Sequence, residues 1–120
     1  MITEDYVSYE TAKLLKEKGF EEECYLHYSS NGKMQHWNYQ SPIDGISAPT
    51  LQMATKWLRL VHNIHVVPKF DFYAGDYTGR IYDGRRETVS EKDDYIAITG
   101  YETSEEACEA AIKYCLENLI

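Results

Sequence analysis

Residues 49–72 read PTLQMATKWLRLVHNIHVVPKFDF, and the spacing of the apolar side chains changes within this stretch. In its first half they recur every three or four residues, which is typical of an amphipathic helix. Pro49 suits the first turn of that helix, because its fixed φ is already helical. From Ile64 the apolar period becomes two. The stretch therefore predicts a helix over Pro49–His62 that leads directly into a strand.

The strand that begins at Ile64 is expected to carry Val66, Phe70 and Phe72 on one face. Pro68 within it favours an edge strand or a bulge, since proline cannot donate to a sheet ladder. Glycines mark turns further along the chain. Two more strands are predicted, at Arg80–Asp83 and Tyr95–Tyr101.

The first half of the chain begins with a helix, predicted over Ser8–Lys18. Ser8 is a suitable N-cap, and Gly19 followed by Phe20 is the pattern of a Schellman stop. A strand hairpin comes next, with Asn31-Gly32 as its two-residue turn. That turn pairs Ser30 with Lys33, Tyr28 with Gln35, Leu26 with Trp37 and Cys24 with Tyr39, and it places His27 opposite His36.

The chain ends with a helix over Ser104–Asn118, for which Thr103 and Glu106 form a capping box. Ser41–Ser47 is expected to be a loop. The predicted order is αββαβββα, in which the strands run on without crossover helices. This order indicates an α+β fold: a single domain over residues 1–120 with three helices and a mainly antiparallel sheet of about five strands.

Charge and composition narrow the function classes. The chain has 20 acidic and 12 basic residues and a formal charge of −8, so we expect no nucleic-acid partner. No apolar run is long enough to span a membrane. Residues 1–9 carry acids and no apolar core, which fits neither a secretory signal nor a transit peptide, and we expect a cytoplasmic protein. The three cysteines are expected to be free, buried thiols.

The sequence gives little support for a metal site or for a catalytic nucleophile. His27 and His36, if they lie opposite each other, offer two imidazoles to Zn²⁺ or Ni²⁺, but no spacing fixes a third ligand. Cys108 follows two glutamates that raise a thiol pKa. The phosphate-binding, nucleophile-elbow and dinucleotide motifs are missing. We therefore expect no catalytic residue, no metal, no cofactor and no enzyme activity.

One basic stretch contains Arg80, Arg85 and Arg86 beside two tyrosines. Arginine next to aromatic rings can stack on bases or hold a phosphate. Asp76, Asp83 and Glu87 share the same stretch, and we expect a locally neutralised segment.

The aromatic content is high, with eleven tyrosines and two tryptophans. Such side chains cover a large area, keep a polar tip and are enriched at interfaces. The sequence predicts an aromatic binding surface made of Tyr25, Trp37, Tyr39, Tyr73 and Tyr77.

Three stretches carry a resemblance to a known group. They are EDYVS (4–8) followed by AKLLKEKGF (12–20), APTLQMA (48–54) followed by WLR (57–59) and HNIH (62–65), and ACEAAIKYCLENL (107–119). Together they resemble a family of small uncharacterised proteins of gut Bacteroidetes and their phages or prophages. The resemblance covers about half the chain, mainly its helices, and brings no catalytic residue with it. It implies a bacterial cytosol and an accessory protein of a mobile element.

The leading hypothesis is a small cytosolic, non-enzymatic protein–protein interaction module, derived from a phage or prophage. A small-ligand or metal-binding domain is the alternative. An enzyme of unrecognised type and a structural role, such as a virion component, are further readings.

Overall fold

The computed structural model describes residues 2–36, 45–85 and 95–120, and these form an α+β fold with three helices, as predicted. The element order is αβββαβββα. The helices are α1 (Tyr9–Glu17), α2 (Leu51–His62) and α3 (Ser104–Asn118), and the strands are β1 (Leu26–Tyr28), β2 (Met34–His36), β3 (Ile46–Ser47), β4 (Ile64–Asp71), β5 (Asp76–Asp83) and β6 (Ile96–Tyr101).

The described strands form two three-stranded antiparallel sheets, ordered β2-β1-β3 and β4-β5-β6. The prediction of one sheet of about five strands is therefore wrong. The additional strand, β3, lies inside the predicted loop Ser41–Ser47, of which residues 41–44 lie outside the described residues. It has two residues, which is too short for an alternating pattern. The pairing continues where the Ala48 N–H donates to the Leu26 carbonyl (3.0 Å).

The first hairpin is shifted by one residue from its predicted register. Tyr28 pairs with Met34 and His27 with Gln35, so His27 does not lie opposite His36. The Ser29 N–H donates to the Lys33 carbonyl (2.9 Å) and closes a three-residue loop. Gly32 ends that loop at φ 82°, a left-handed conformation that glycine adopts without steric cost. The predicted partners Trp37 and Tyr39 lie outside the described residues.

The helix ends follow their sequence signals. Ser8 caps α1, and the Phe20 N–H donates to the Leu15 carbonyl (2.9 Å) while Gly19 has φ 96°, which is the predicted Schellman stop. Thr103 caps α3 by accepting from the Glu106 N–H (3.0 Å). The helix predicted from Pro49 begins at Leu51, because the Thr50 hydroxyl accepts from the Met53 N–H (3.1 Å) and makes Thr50 the N-cap.

The second sheet packs one face on α3. Gly79 and Ile81 of β5 point to that helix: Ile81 is fully buried, and a Cβ on Gly79 would lie 2.6 Å from the Ala107 carbonyl oxygen. β4 is an edge strand, as Pro68 predicted. Because side chains alternate along a strand, the neighbours of Gly79 and Ile81 point to the opposite face of this sheet.

The two sheets share one cluster of buried apolar side chains, which includes Tyr28 and Leu26 from β1 and Ile64 and Ile81 from the second sheet. The N-terminal segment connects β1 to the start of α2. The Tyr28 hydroxyl donates to the Val7 carbonyl (2.6 Å), and the Val7 N–H donates to the carbonyl of Pro49, just before α2 (3.0 Å). Among the described residues, no helix has both the length and the apolar content to cross a bilayer.

Candidate functional site

The hairpin formed by β4 and β5 ends in a tight four-residue loop, and this loop decides where its aromatic side chains point. The Asp71 carboxylate accepts from the N–H groups of Tyr73 (3.0 Å) and Ala74 (3.2 Å), and the Asp71 carbonyl accepts from the Gly75 N–H (2.8 Å). Gly75 has φ 72°, which favours glycine. An aspartate that bonds its own following backbone is a usual way to fix a turn.

Two adjacent aromatic residues project from this loop. Phe72 is 82% exposed and Tyr73 is 99% exposed, and their ring centroids lie 6.2 Å apart. Behind them, Phe70 and Tyr77 face each other across the strands with ring centroids 5.2 Å apart. We call these four residues the aromatic tip.

Sequence reasoning placed Phe72 on a strand face with Val66 and Phe70, and that prediction is wrong. β4 ends at Asp71, so Phe72 belongs to the loop and turns outward. The prediction that the next strand begins at Arg80 is also wrong, since β5 begins at Asp76. The spacing of Asp71 and Gly75 is the sequence signal that could have corrected both predictions, because this turn fixes where β4 ends and β5 begins.

The five predicted surface residues are divided between the sheets. Tyr73 and Tyr77 lie together in the aromatic tip, with Tyr77 half-buried. Tyr25 is 70% exposed but lies next to β1 in the other sheet. Trp37 and Tyr39 lie outside the described residues. Phe70 and Phe72 are the members of the tip that sequence reasoning did not assign to the surface.

A shallow groove of about 420 Å³ runs from the aromatic tip onto the face of the second sheet that α3 leaves open. Strand pairing brings Lys69 beside Thr78 and Ala97 beside Arg80 on this face. The Arg80 guanidinium lies 4.3 Å from the centroid of the Tyr95 ring, and a hydrogen bond to Tyr82 raises the pKa of Arg80. Arg80 is therefore a permanent cation that lies over an aromatic ring.

The predicted basic stretch does not form one cluster. Arg80 belongs to the open sheet face, whereas Arg85 bonds the Asp83 carboxylate (2.9 Å) and the Leu119 carbonyl (3.0 Å) at the end of α3. Arg86 lies outside the described residues. The Asp83 contact makes Arg85 part of a local ion pair, in agreement with the expected neutralisation.

Three of the histidines occupy separate environments. His27 is buried in β1, His62 packs its ring against Trp57 (4.9 Å between centroids), and His65 bonds the Asn63 side chain (3.0 Å). Over residues 2–36, 45–85 and 95–120, no three His, Cys, Asp or Glu side chains come together in a way that could hold a metal ion.

All three cysteines are free and buried, as predicted. Burial raises the pKa of Cys115 to about 12 and, together with the charges of Glu109 and Glu105, that of Cys108 to about 11. Burial also raises the pKa of Cys24. Because the thiolate is the nucleophilic form, these pKa values disfavour attack by the cysteines at neutral pH.

Comparisons with known proteins leave the family open: no family model, no curated protein and no solved structure matches this chain. The resemblance to proteins of gut Bacteroidetes and their phages stays a prediction. The function is therefore inferred from the geometry of the aromatic tip and the open sheet face beside it.

Proposed function

We propose that this chain is a small, cytosolic, non-enzymatic interaction module that binds another protein through the aromatic tip. The observation that carries the proposal is the pair Phe72 and Tyr73, which are adjacent in sequence and 82% and 99% exposed. Single exposed apolar residues are ordinary, but two neighbouring aromatic rings at a projecting hairpin end form a localised apolar patch.

The hairpin fixes the backbone that carries these rings, which matters for affinity. The Asp71 turn bonds and the Phe70–Tyr77 ring contact brace the loop from behind. A braced loop loses less conformational freedom when a partner binds. Aromatic side chains that enter a partner's pocket also supply a large share of the binding free energy.

The chemistry of the remaining side chains supports a non-enzymatic role. The buried thiols have raised pKa values, and the acidic groups at the loop, such as Asp71, serve the backbone of the turn. Three free cysteines fit a reducing cytosol. With the resemblance to phage and prophage proteins, these features favour a bacterial host protein or another product of the mobile element as the partner.

Co-purification from the native host tests this proposal. The tagged wild-type chain is compared with a Phe72→Ser, Tyr73→Ser double variant and with Ile2→Ser, which removes an apolar side chain that is 99% exposed elsewhere. We expect one protein to be enriched by the wild type and by Ile2→Ser, and to fall at least about tenfold with the double variant. Equal recovery with all three chains, or no enriched protein at all, would contradict the proposal.

A second candidate function is binding of a small anionic ligand, and the groove beside the tip favours it. Its volume of about 420 Å³ is in the range of small-molecule sites, and two cations line it, Lys69 and the Arg80 that lies against the Tyr95 ring. A nucleoside monophosphate is a suitable probe of this chemistry. Binding would raise the melting temperature of the wild type and not of Arg80→Ala, and an unchanged wild type at millimolar ligand would exclude the candidate.

A further inference from the structure

The groove beside the aromatic tip has a local charge opposite to that of the chain. The sequence holds 20 acidic and 12 basic residues, yet two cations, Lys69 and Arg80, line this groove. Asp71 is the acidic residue among the described residues that line it, and its carboxylate already accepts from the N–H groups of Tyr73 and Ala74. The groove therefore offers positive charge on a chain that is negative as a whole.

Strand pairing sets the spacing of the two cations. Lys69 pairs with Thr78, and Arg80 lies two residues further along β5, so the three side chains share the open face of the sheet. Lys69 and Arg80 are thus diagonal neighbours, which lie roughly 7–8 Å apart across two antiparallel strands. A ligand that contacts both cations needs two negative charges at a similar separation.

The groove also has an apolar end. Phe72 and Tyr73 line it there, and they are 82% and 99% exposed. Lys69 lies nearer to this hairpin end than Arg80 does, so the order along the groove is aromatic rings, Lys69, Arg80. A matching occupant therefore carries an apolar group followed by two negative charges.

We infer that this groove binds an extended acidic segment of the partner protein, an inference that rests on the proposed function and deepens it. In an extended chain the side chains at i and i+2 point to the same side, about 6.6 Å apart, which is close to the spacing of Lys69 and Arg80. Two Asp or Glu side chains at that spacing place one carboxylate on each cation. An apolar residue before the first carboxylate contacts Phe72 and Tyr73.

The charge of the whole chain makes this binding depend on the groove. The formal charge of −8 repels an acidic peptide at long range, so the attraction has to come from contacts with Lys69 and Arg80. Their diagonal arrangement favours one spacing of carboxylates over another. For a short peptide with these few contacts we expect a dissociation constant on the order of 100 µM.

Fluorescence anisotropy with two labelled peptides tests the inference on the purified chain. The probe is a short peptide in which two leucines precede glutamates at positions i and i+2, separated by alanine. The control peptide has the same residues with the two glutamates adjacent. The probe should bind at least about fivefold more tightly, because adjacent side chains of an extended chain point to opposite sides. Equal binding of the two peptides would contradict the inference.

Charge reversal in the groove is the second arm of this experiment. Arg80→Glu and the exposed Lys69→Glu should each weaken probe binding at least about tenfold, since each places like charges together. Arg59→Glu is the matched control, because it makes the same charge change at an exposed position of α2 and should bind the probe like the wild type. A peptide with lysines in place of the glutamates should bind the double variant, more tightly at the i, i+2 spacing than with adjacent lysines.

Failure of the proposed function and failure of this inference are separate results. If the tip captures a host protein while the purified wild type binds neither peptide, the proposed function stands and this inference is overturned. If the probe binds with its spacing preference and no host protein is captured, only the proposed function fails. Equal probe binding by Arg80→Glu and Arg59→Glu would also overturn the inference, as would binding of a nucleoside monophosphate without binding of either peptide.

Discussion

Gly79 lies where β5 comes closest to α3, and the helix occupies the space that a side chain would need. A Cβ at this position would be 2.6 Å from the Ala107 carbonyl oxygen and 2.8 Å from the Ala111 Cβ. These atoms belong to a packed helix, so one element must shift to accept even a methyl group. The sequence predicted that the glycines of this part of the chain mark turns, whereas Gly79 lies inside β5.

Gly79→Ala should lower the free energy of unfolding by about 2 kcal/mol, since overpacking of this kind typically costs 1–3 kcal/mol. Urea denaturation followed by circular dichroism measures it. Ala97→Val is the control, because Ala97 is exposed on the opposite face of the same sheet and should change stability by less than about 0.5 kcal/mol. Equal effects of the two substitutions would show that α3 does not approach β5 this closely.

His62 couples stability to pH. Burial of its ring against Trp57, with a smaller effect of the Arg85 charge, lowers the pKa of His62 from its ordinary value of 6.5. At pH values between the lowered pKa and 6.5, His62 binds a proton in the unfolded chain and not in the native chain. The stabilisation is therefore present above pH 6.5 and is lost as the pH falls through the folded-state pKa.

His62→Phe keeps a ring on Trp57 and removes the titrating group. Between roughly pH 7.5 and pH 5 the unfolding free energy of this variant should fall less than that of the wild type, because the variant lacks the imidazole. The carboxyl groups that begin to bind protons in this pH range are the same in both chains, so they do not cause a difference. Urea midpoints at several pH values measure the difference. Parallel pH profiles for the two chains would contradict this account of His62.

At the scale of elements, the carboxylate of Glu109 on α3 connects the two helices by accepting hydrogen bonds from the first residues of α1. One Glu109 oxygen accepts from the Ser8 N–H (2.9 Å) and from the Thr11 hydroxyl (2.7 Å), and Thr11 is fully buried. A carboxylate at a helix N-terminus also interacts favourably with the helix dipole. Nothing local in the sequence indicates this contact, because Glu109 follows Thr11 by nearly the whole chain.

Glu109→Ala should cost about 2 kcal/mol of unfolding free energy, because it leaves the Ser8 N–H and the buried Thr11 hydroxyl without an acceptor. Glu109→Gln retains an acceptor oxygen and should cost less than half as much. Glu117→Ala, at an exposed position of the same helix, should have almost no effect. Thermal or urea unfolding of the three variants distinguishes them, and a Gln variant as unstable as the Ala variant would rule out the acceptor role.

The aromatic tip is an element whose exposed side chains contribute little to folding. Phe72 and Tyr73 are 82% and 99% exposed, so the Phe72→Ser, Tyr73→Ser double variant should unfold within about 0.5 kcal/mol of the wild type. Tyr77→Ser, which removes the ring behind them, should destabilise the hairpin measurably. A large loss of stability in the double variant would mean that the tip serves the fold instead of a partner.

The elements also show which features were predictable. Both ends of α1 and the start of α3 depend on neighbours within a few residues, so Ser8, Gly19 and Thr103 predicted them correctly. The register of the first hairpin was not predictable in this way. All three residues of β1 are buried, so both faces of this strand are covered and alternation of apolar side chains gives no register there.

At the scale of the whole molecule, the fold class was predictable and the sheet arrangement was not. Strands before and after α2 could join one sheet or form two, and the choice depends on contacts between distant residues. The predicted aromatic surface also depends on contacts between distant residues. Tyr73 and Tyr77 come together because β4 and β5 pair, whereas Tyr25 belongs to the other sheet.

The central claim is that Tyr73 and its neighbours contact a partner protein in the cell. The most direct test replaces Tyr73 by the photocrosslinker p-benzoylphenylalanine, which keeps an aromatic ring at this 99% exposed position, and irradiates native host cells. The same replacement at Ile2, also 99% exposed, is the matched control. We expect one discrete crosslinked protein at position 73 and not at position 2. No adduct at position 73, or the same adducts at both positions, would contradict the claim.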